Sequence, residues 1–108
     1  MSRDWRLTPV AEQSLREIAR WTIETFGQNQ ATAYMNDLIA RCSELANGQA
    51  FEQRCNQLVD AAMPEDMCFS RCGQHFIVFI RDNDLVTIIE ILHARSNLPA
   101  RLNNLAGK

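Results

Sequence analysis

Lysine and tyrosine are each used once in this chain of 108 residues, as Lys108 and Tyr34, and histidine twice, as His75 and His93. With a formal net charge of −2, the sequence lacks the dense basic field that drives a self-sufficient DNA-binding module, so no direct DNA binding is expected. No run approaches the ~20 apolar residues that span a bilayer, since the strongest, Phe76 to Ile80, is only strand-length. The charged start Met1-Ser2-Arg3-Asp4-Trp5-Arg6 leads into no signal-type apolar region. No membrane association is therefore expected. The expected compartment is the cytoplasm, where thiols stay reduced. Close cysteine pairs are also missing. Of Cys42, Cys55, Cys68 and Cys72, only the last two share a short spacing, and no second pair completes a four-ligand set, so neither metal nor cofactor is expected.

What is present reads as one soluble globular domain over residues 1–108, with 46% apolar and 22% charged residues. Charge is unevenly spread. Residues 1–66 carry 6 basic and 10 acidic side chains, a balance of −4, and residues 67–108 carry 5 and 3, a balance of +2. The second half is mildly basic, which is too little to mark a nucleic-acid footprint by itself.

Local chemistry predicts the elements. A first strand is expected over 3–7, with Trp5 and Leu7 on one face. Thr8-Pro9 reads as an N-cap followed by a proline at the first helical position. Ala11, Leu15, Ile18, Thr22 and Phe26 then recur at spacings of three and four, one stripe of an amphipathic helix ended by Gly27. A second helix over 28–46 places Ala31, Tyr34, Leu38, Cys42 and Leu45 inside, with Gly48 just past its end. Residues 49–66 predict a loop with a short helical turn, broken at Pro64-Glu65-Asp66.

Three strands follow, over 67–72, 75–81 and 85–93, separated by turns at Gly73-Gln74 and Asp82-Asn83-Asp84. In the middle strand Phe76, Val78 and Ile80 point one way and Ile77 and Phe79 the other, which marks a central strand covered on both faces. Residues 97–102 predict a short turn of helix. The expected fold is α+β, in the order β-α-α-β-β-β, with a helical hairpin packed on one face of a small, mainly antiparallel sheet. The opposite face is left without a cover, and a partner is expected there.

Several segments resemble one family. Thr8-Pro9-x-Ala11-Glu12, Leu15-x-x-Ile18, Trp21-Thr22 and Phe26-Gly27-x-x-x-Ala31 resemble the helical hairpin of ParE-type toxins, in the RelE/ParE toxin–antitoxin superfamily. Gly73-Gln74-His75-Phe76-Ile77 is similar to their glycine–polar–histidine strand motif. Ile89-x-Ile91-Leu92-His93-x-Arg95 resembles their last strand, and Pro99-Ala100-Arg101 their tail. The resemblance implies a toxin held inactive by a cognate antitoxin in a hetero-oligomeric complex. In the ParE branch the toxin poisons DNA gyrase and blocks replication; in the RelE branch it cleaves messenger RNA on the ribosome.

RNA cleavage needs a group to activate the ribose hydroxyl, an acid for the leaving oxygen and cations for the phosphate. RelE-type enzymes cluster lysine and arginine on the sheet, and here Arg71, Arg81, His75, His93 and Arg95 are what remains to supply such a site, with Arg71, Arg81 and His93 the catalytic set if the chain is RelE-like. This is a thin set, so a protein-binding toxin that is not an enzyme is the expectation. A partner segment laid across the open sheet face or added at an edge would cover Phe69, Phe79 and Arg81, the expected antitoxin contacts. Arg95, Asn97, Leu98 and Arg101, at the mildly basic C-terminal end, are the expected contacts with gyrase.

Overall fold

The computed structural model describes residues 4–55 and 66–105. Strand β1 (Asp4–Leu7) leads into helix α1 (Pro9–Phe26), then helix α2 (Gln28–Ala46) and a two-residue strand β2 (Gln53–Arg54). Strands β3 (Met67–Cys72), β4 (His75–Asp82) and β5 (Leu85–His93) follow, then helix α3 (Leu98–Leu105). The sheet order is β1-β5-β4-β3-β2; β1 runs parallel to β5 and every other pair is antiparallel.

The chemistry at the element ends explains why the chain turns where it does. The Thr8 hydroxyl accepts the Ala11 N–H at 3.1 Å, satisfying one orphan donor at the start of α1, and Pro9 occupies the first turn where no N–H is needed. Gly27, at φ 95, closes α1 by donating its N–H to the Ile23 carbonyl, and its own carbonyl accepts from Ala31 to open α2. In the turn after β4, Asn83 takes a left-handed φ of 56, which asparagine tolerates.

The alternation of β4 divides the interior in two. Ile77 and Phe79 face the helical hairpin and pack with Ala11, Leu38, Leu45 and Ile88. Val78, flanked by Phe76 and Ile80, packs on the other side with Met67, Phe69 and Leu92. Each large side chain closed from water in this way, Phe79, Leu38 and Ile77 among them, contributes ~1.5–3 kcal/mol. A shift in register between Val78 and Phe79 leaves Ile89 without a partner on β4. Beyond that bulge Glu90 turns its carboxylate to α1, where the Ser14 hydroxyl donates to it. The ring N–H of Trp5 donates to the Ser43 hydroxyl at 3.1 Å, fastening edge strand β1 to α2.

The expected uncovered face is corrected by α3. Leu98 and Leu102 are buried against Phe69, Val78 and Leu92, and Cys55, fully enclosed, joins them. The spacing 98, 102 and 105 is a helical stripe, longer than the short turn expected there. Strand β2 was not foreseen; it pairs Gln53 with Phe69 and Arg54 with Cys68 at the sheet edge. The helical turn expected in the same stretch falls partly on residues 56–65, outside the described residues. Phe26 also departs from its expected inward place: it is 59% exposed and meets Trp21 edge-on at 5.7 Å.

Candidate functional site

Of the residues left for RNA cleavage, His75, His93 and Arg95 lie together, whereas Arg71 and Arg81 do not join them. His75 pairs with His93 across β4 and β5, and both lie at the end of the sheet near the start of β4. Arg81 sits six residues further along β4, about 20 Å away at ~3.4 Å per residue. There its Nη2 donates to the Glu52 carboxylate at 2.6 Å and to the Leu45 carbonyl, near the C-terminal end of α2, at 3.1 Å. Arg71 lies on the opposite face from His75, with its guanidinium 5.6 Å from the Phe76 ring centre and its Nε donating to the Gly73 carbonyl.

The expected antitoxin contacts are occupied within the chain. Phe79 is completely buried beneath the hairpin and offers no surface, because period two turns it inward with Ile77. Phe69, 6% exposed, is closed off by the second cluster and an edge-on contact with Phe76 at 5.7 Å. Arg81 holds the ion pair just described and lies over Phe79.

Among the expected gyrase contacts, Arg95 and Arg101 are exposed, and their guanidinium groups have no partner among the described residues. Asn97 caps α3, its Oδ1 accepting the Ala100 N–H at 3.3 Å. Leu98 is corrected from a contact to an anchor: at 9% exposure it is part of the second core cluster.

Arg95 and Arg101 border a groove that the sequence did not disclose. It runs between the C-terminal end of α1 and the end of β4 and β5, with a volume of about 600 Å³ in its larger part. Trp21 and Phe26 form an apolar wall, and Tyr34, His75, His93 and Arg95 line the other side. An adjoining part continues past Glu17 and Ile91 to Arg101. Trp21 is 55% exposed there.

The groove floor is held from α2. The Tyr34 hydroxyl lies 2.6 Å from His75 Nδ1 and 3.2 Å from the Cys72 carbonyl, and accepts the Gln74 N–H at 3.0 Å. Burial raises the Tyr34 pKa, so the hydroxyl keeps its proton. Burial, assisted by the neighbouring His93, pushes His75 down to about 4, so its ring is neutral at pH 7. The two imidazoles meet edge-on at 5.2 Å, and His93 Nδ1 accepts the Arg95 N–H at 3.0 Å. Gly73 makes this geometry possible. Its φ of 59 is left-handed, and a Cβ there would stand 2.7 Å from Tyr34 Cε1. The pairing of Tyr34 with residues 38 to 41 positions away was beyond sequence reasoning; the glycine turn beside a histidine was its only trace.

The four thiols are buried and free. Desolvation pushes Cys42 and Cys55 up to about 12 and Cys68 to about 11, the chemistry of inert core side chains. Among the described residues no group of three or more His, Cys, Asp or Glu could hold a metal ion, and no described helix is long and apolar enough to cross a membrane.

Comparison with known proteins adds an independent line. The family model of the ParE toxin of the type II toxin–antitoxin system parDE matches residues 5–98. The chain is 30% identical over 97 residues to a toxin ParE of Escherichia coli, which covers 89% of each. It also shares its fold with a solved chain of the chromosomal ParDE system from P. aeruginosa. That alignment has a TM-score of 0.64 at 15% identity and covers 87% of this chain and 98% of that one. The chain belongs to the ParE toxin family of type II toxin–antitoxin systems.

Proposed function

We propose that the chain acts as a toxin by binding a protein, DNA gyrase, so that replication is blocked, and that a cognate antitoxin neutralises it in a hetero-oligomeric complex. The observation that carries this reading is the contrast between two sets of cations. Arg71 and Arg81 lie on opposite faces of the sheet and are engaged within the chain. Arg95 and Arg101 are exposed, free of partners among the described residues, and at the same end of the molecule.

An enzyme that cleaves RNA must place acid, base and cation around one phosphate. His75, His93 and Arg95 do share the groove, but Arg71 and Arg81 add no cation there and Glu17 on the lining opposes a phosphate. A protein-binding toxin needs only a surface whose charge and shape a partner can meet. The antitoxin half of the proposal rests on family membership. Since Phe69 and Phe79 are already closed by the chain's own helices, the antitoxin would meet surface that the core leaves open, such as Trp21, Phe26 or the strongly exposed Phe51.

Adding the purified chain to a plasmid supercoiling reaction with gyrase tests the proposal. Loss of supercoiling with accumulation of cleaved plasmid is the expected result. Undisturbed supercoiling, accompanied by ribosome-dependent cleavage of messenger RNA, would replace it with the RelE-like reading.

A further inference from the structure

We infer that the groove between α1 and the β4–β5 end is a docking site for a carboxylate side chain of a partner protein, presented beside a large apolar residue. One ring nitrogen of His75 opens onto the groove. His75 is only 6% exposed, its Nδ1 is taken by the Tyr34 hydroxyl, and its Nε2 has no hydrogen-bond partner among the described residues while the ring lines the groove. Among the described residues no fully enclosed side-chain nitrogen or oxygen lacks a partner, so this nitrogen is one that the groove reaches.

Which groups face the groove follows from proton bookkeeping. The Tyr34 oxygen accepts from Gln74 and has one proton to give. His75 Nδ1, at 2.6 Å, is the nearer acceptor, with the Cys72 carbonyl more distant at 3.2 Å. With Nδ1 as the acceptor the ring proton of His75 sits on Nε2, whereas donation to the Cys72 carbonyl would leave Nε2 bare. His93 Nδ1 likewise accepts, from the Arg95 N–H, which puts its proton on Nε2 as well. Two imidazole N–H donors therefore accompany the guanidinium groups of Arg95 and Arg101, and this donor set matches a carboxylate.

The acid on the lining is Glu17, whose carboxylate accepts from the Gln13 amide at 3.2 Å. Helical spacing places Glu24 on the same side of α1. A polyanion such as RNA would bring further phosphates against these acids, whereas one carboxylate would not. Trp21 and Phe26 supply the apolar wall for the residue beside it. The site shares its cations with the proposed gyrase contact and rests on that reading for the identity of the partner only.

Nitrogen-15 correlation spectra of the histidine rings of the intact protein test this at about pH 7.5, above the ordinary histidine range. Both rings are expected to carry their proton on Nε2; a bare Nε2 on His75 would overturn the inference. Titration with acetyl-leucyl-glutamate amide is expected to shift His75 Nε2. The glutamine analogue should bind about tenfold more weakly, since a charge-assisted hydrogen bond is lost.

Trp21→Ala removes an exposed ring, so its thermal unfolding should match the parent while the peptide shift weakens. The inference fails if the two peptides behave alike, if Trp21→Ala binds as the parent does, or if adenosine monophosphate shifts His75 more strongly than the glutamate peptide. None of these results depends on gyrase, so this inference and the proposed target fail separately.

Discussion

Removing one oxygen tests how the groove floor is held. In Tyr34→Phe the ring stays and the hydroxyl goes, taking with it the contacts to Gln74, Cys72 and His75. Gln74 is exposed, so water can replace its bond at little cost. His75 is buried, and its Nδ1 loses its only partner among the described residues. A buried group left unsatisfied costs ~1–3 kcal/mol, so a loss of about 2 kcal/mol is expected. For a domain of this size that corresponds to a fall in Tm of roughly 8 °C. Urea unfolding measures it as a lower midpoint at unchanged slope. A double-mutant cycle with His75→Phe should return a coupling of about 1 kcal/mol between the two positions. A loss below about 0.5 kcal/mol, or a coupling near zero, would refute the account of the floor, because an exposed tyrosine would behave in that way.

Further outcomes follow from the same structure. His75 is held neutral in the folded chain, with its pKa lowered to about 4, while in the unfolded chain it titrates near the ordinary 6.5. The unfolded state therefore binds the extra proton first. Stability should be fully present above about pH 6.5 and fall as pH drops toward 4, by up to about 3 kcal/mol from this group, a loss absent in His75→Phe. Gly73→Ala must place an alanine at φ 59 with its Cβ 2.7 Å from the Tyr34 ring, so a loss of about 2 kcal/mol and a displaced Tyr34 resonance are expected. Arg81→Ala breaks the partly buried pair with Glu52; a loss of about 1 kcal/mol is expected in urea unfolding, and Glu52→Gln should lose less. With pKa values near 11 to 12, Cys42, Cys55 and Cys68 should resist a thiol reagent in the native state and react only on unfolding.

Much of this architecture is legible in local chemistry. Thr8-Pro9, Gly27, the glycine at 73 and the Asp82-Asn83-Asp84 turn punctuate the chain where backbone geometry demands it, and the elements between them have the expected spans. The two-faced pattern of β4 was equally plain, since alternation is a local property. What covers the second face was not. Leu98, Leu102 and Leu105 form a stripe of only three residues on a short helix, and nothing local says that it folds back onto Phe69 and Leu92. Strand β2 is two residues long and exists only through its pairing with β3.

The candidate site divided in a similar way. Arg95 and Arg101 could be picked out from charge distribution and family resemblance, and they border the groove. Leu98 was misplaced because an apolar residue near the end of a chain gives no sign of its own burial. Tyr34 and His75, 41 positions apart, are joined by a tertiary contact that no local pattern encodes.

We propose gyrase as the target, met through the end of the molecule that carries Arg95 and Arg101. The most direct test compares the parent with the double variant Arg95→Ala/Arg101→Ala in the supercoiling reaction, after matched unfolding curves show that both are folded. Both side chains are exposed and unpartnered among the described residues, so the fold should survive their loss. The parent should abolish supercoiling and the variant should require at least about tenfold more protein, the loss of roughly 1.4 kcal/mol of binding. A parent that inhibits gyrase and a variant that inhibits it equally well would contradict the assigned surface; a parent that leaves gyrase untouched would contradict the target.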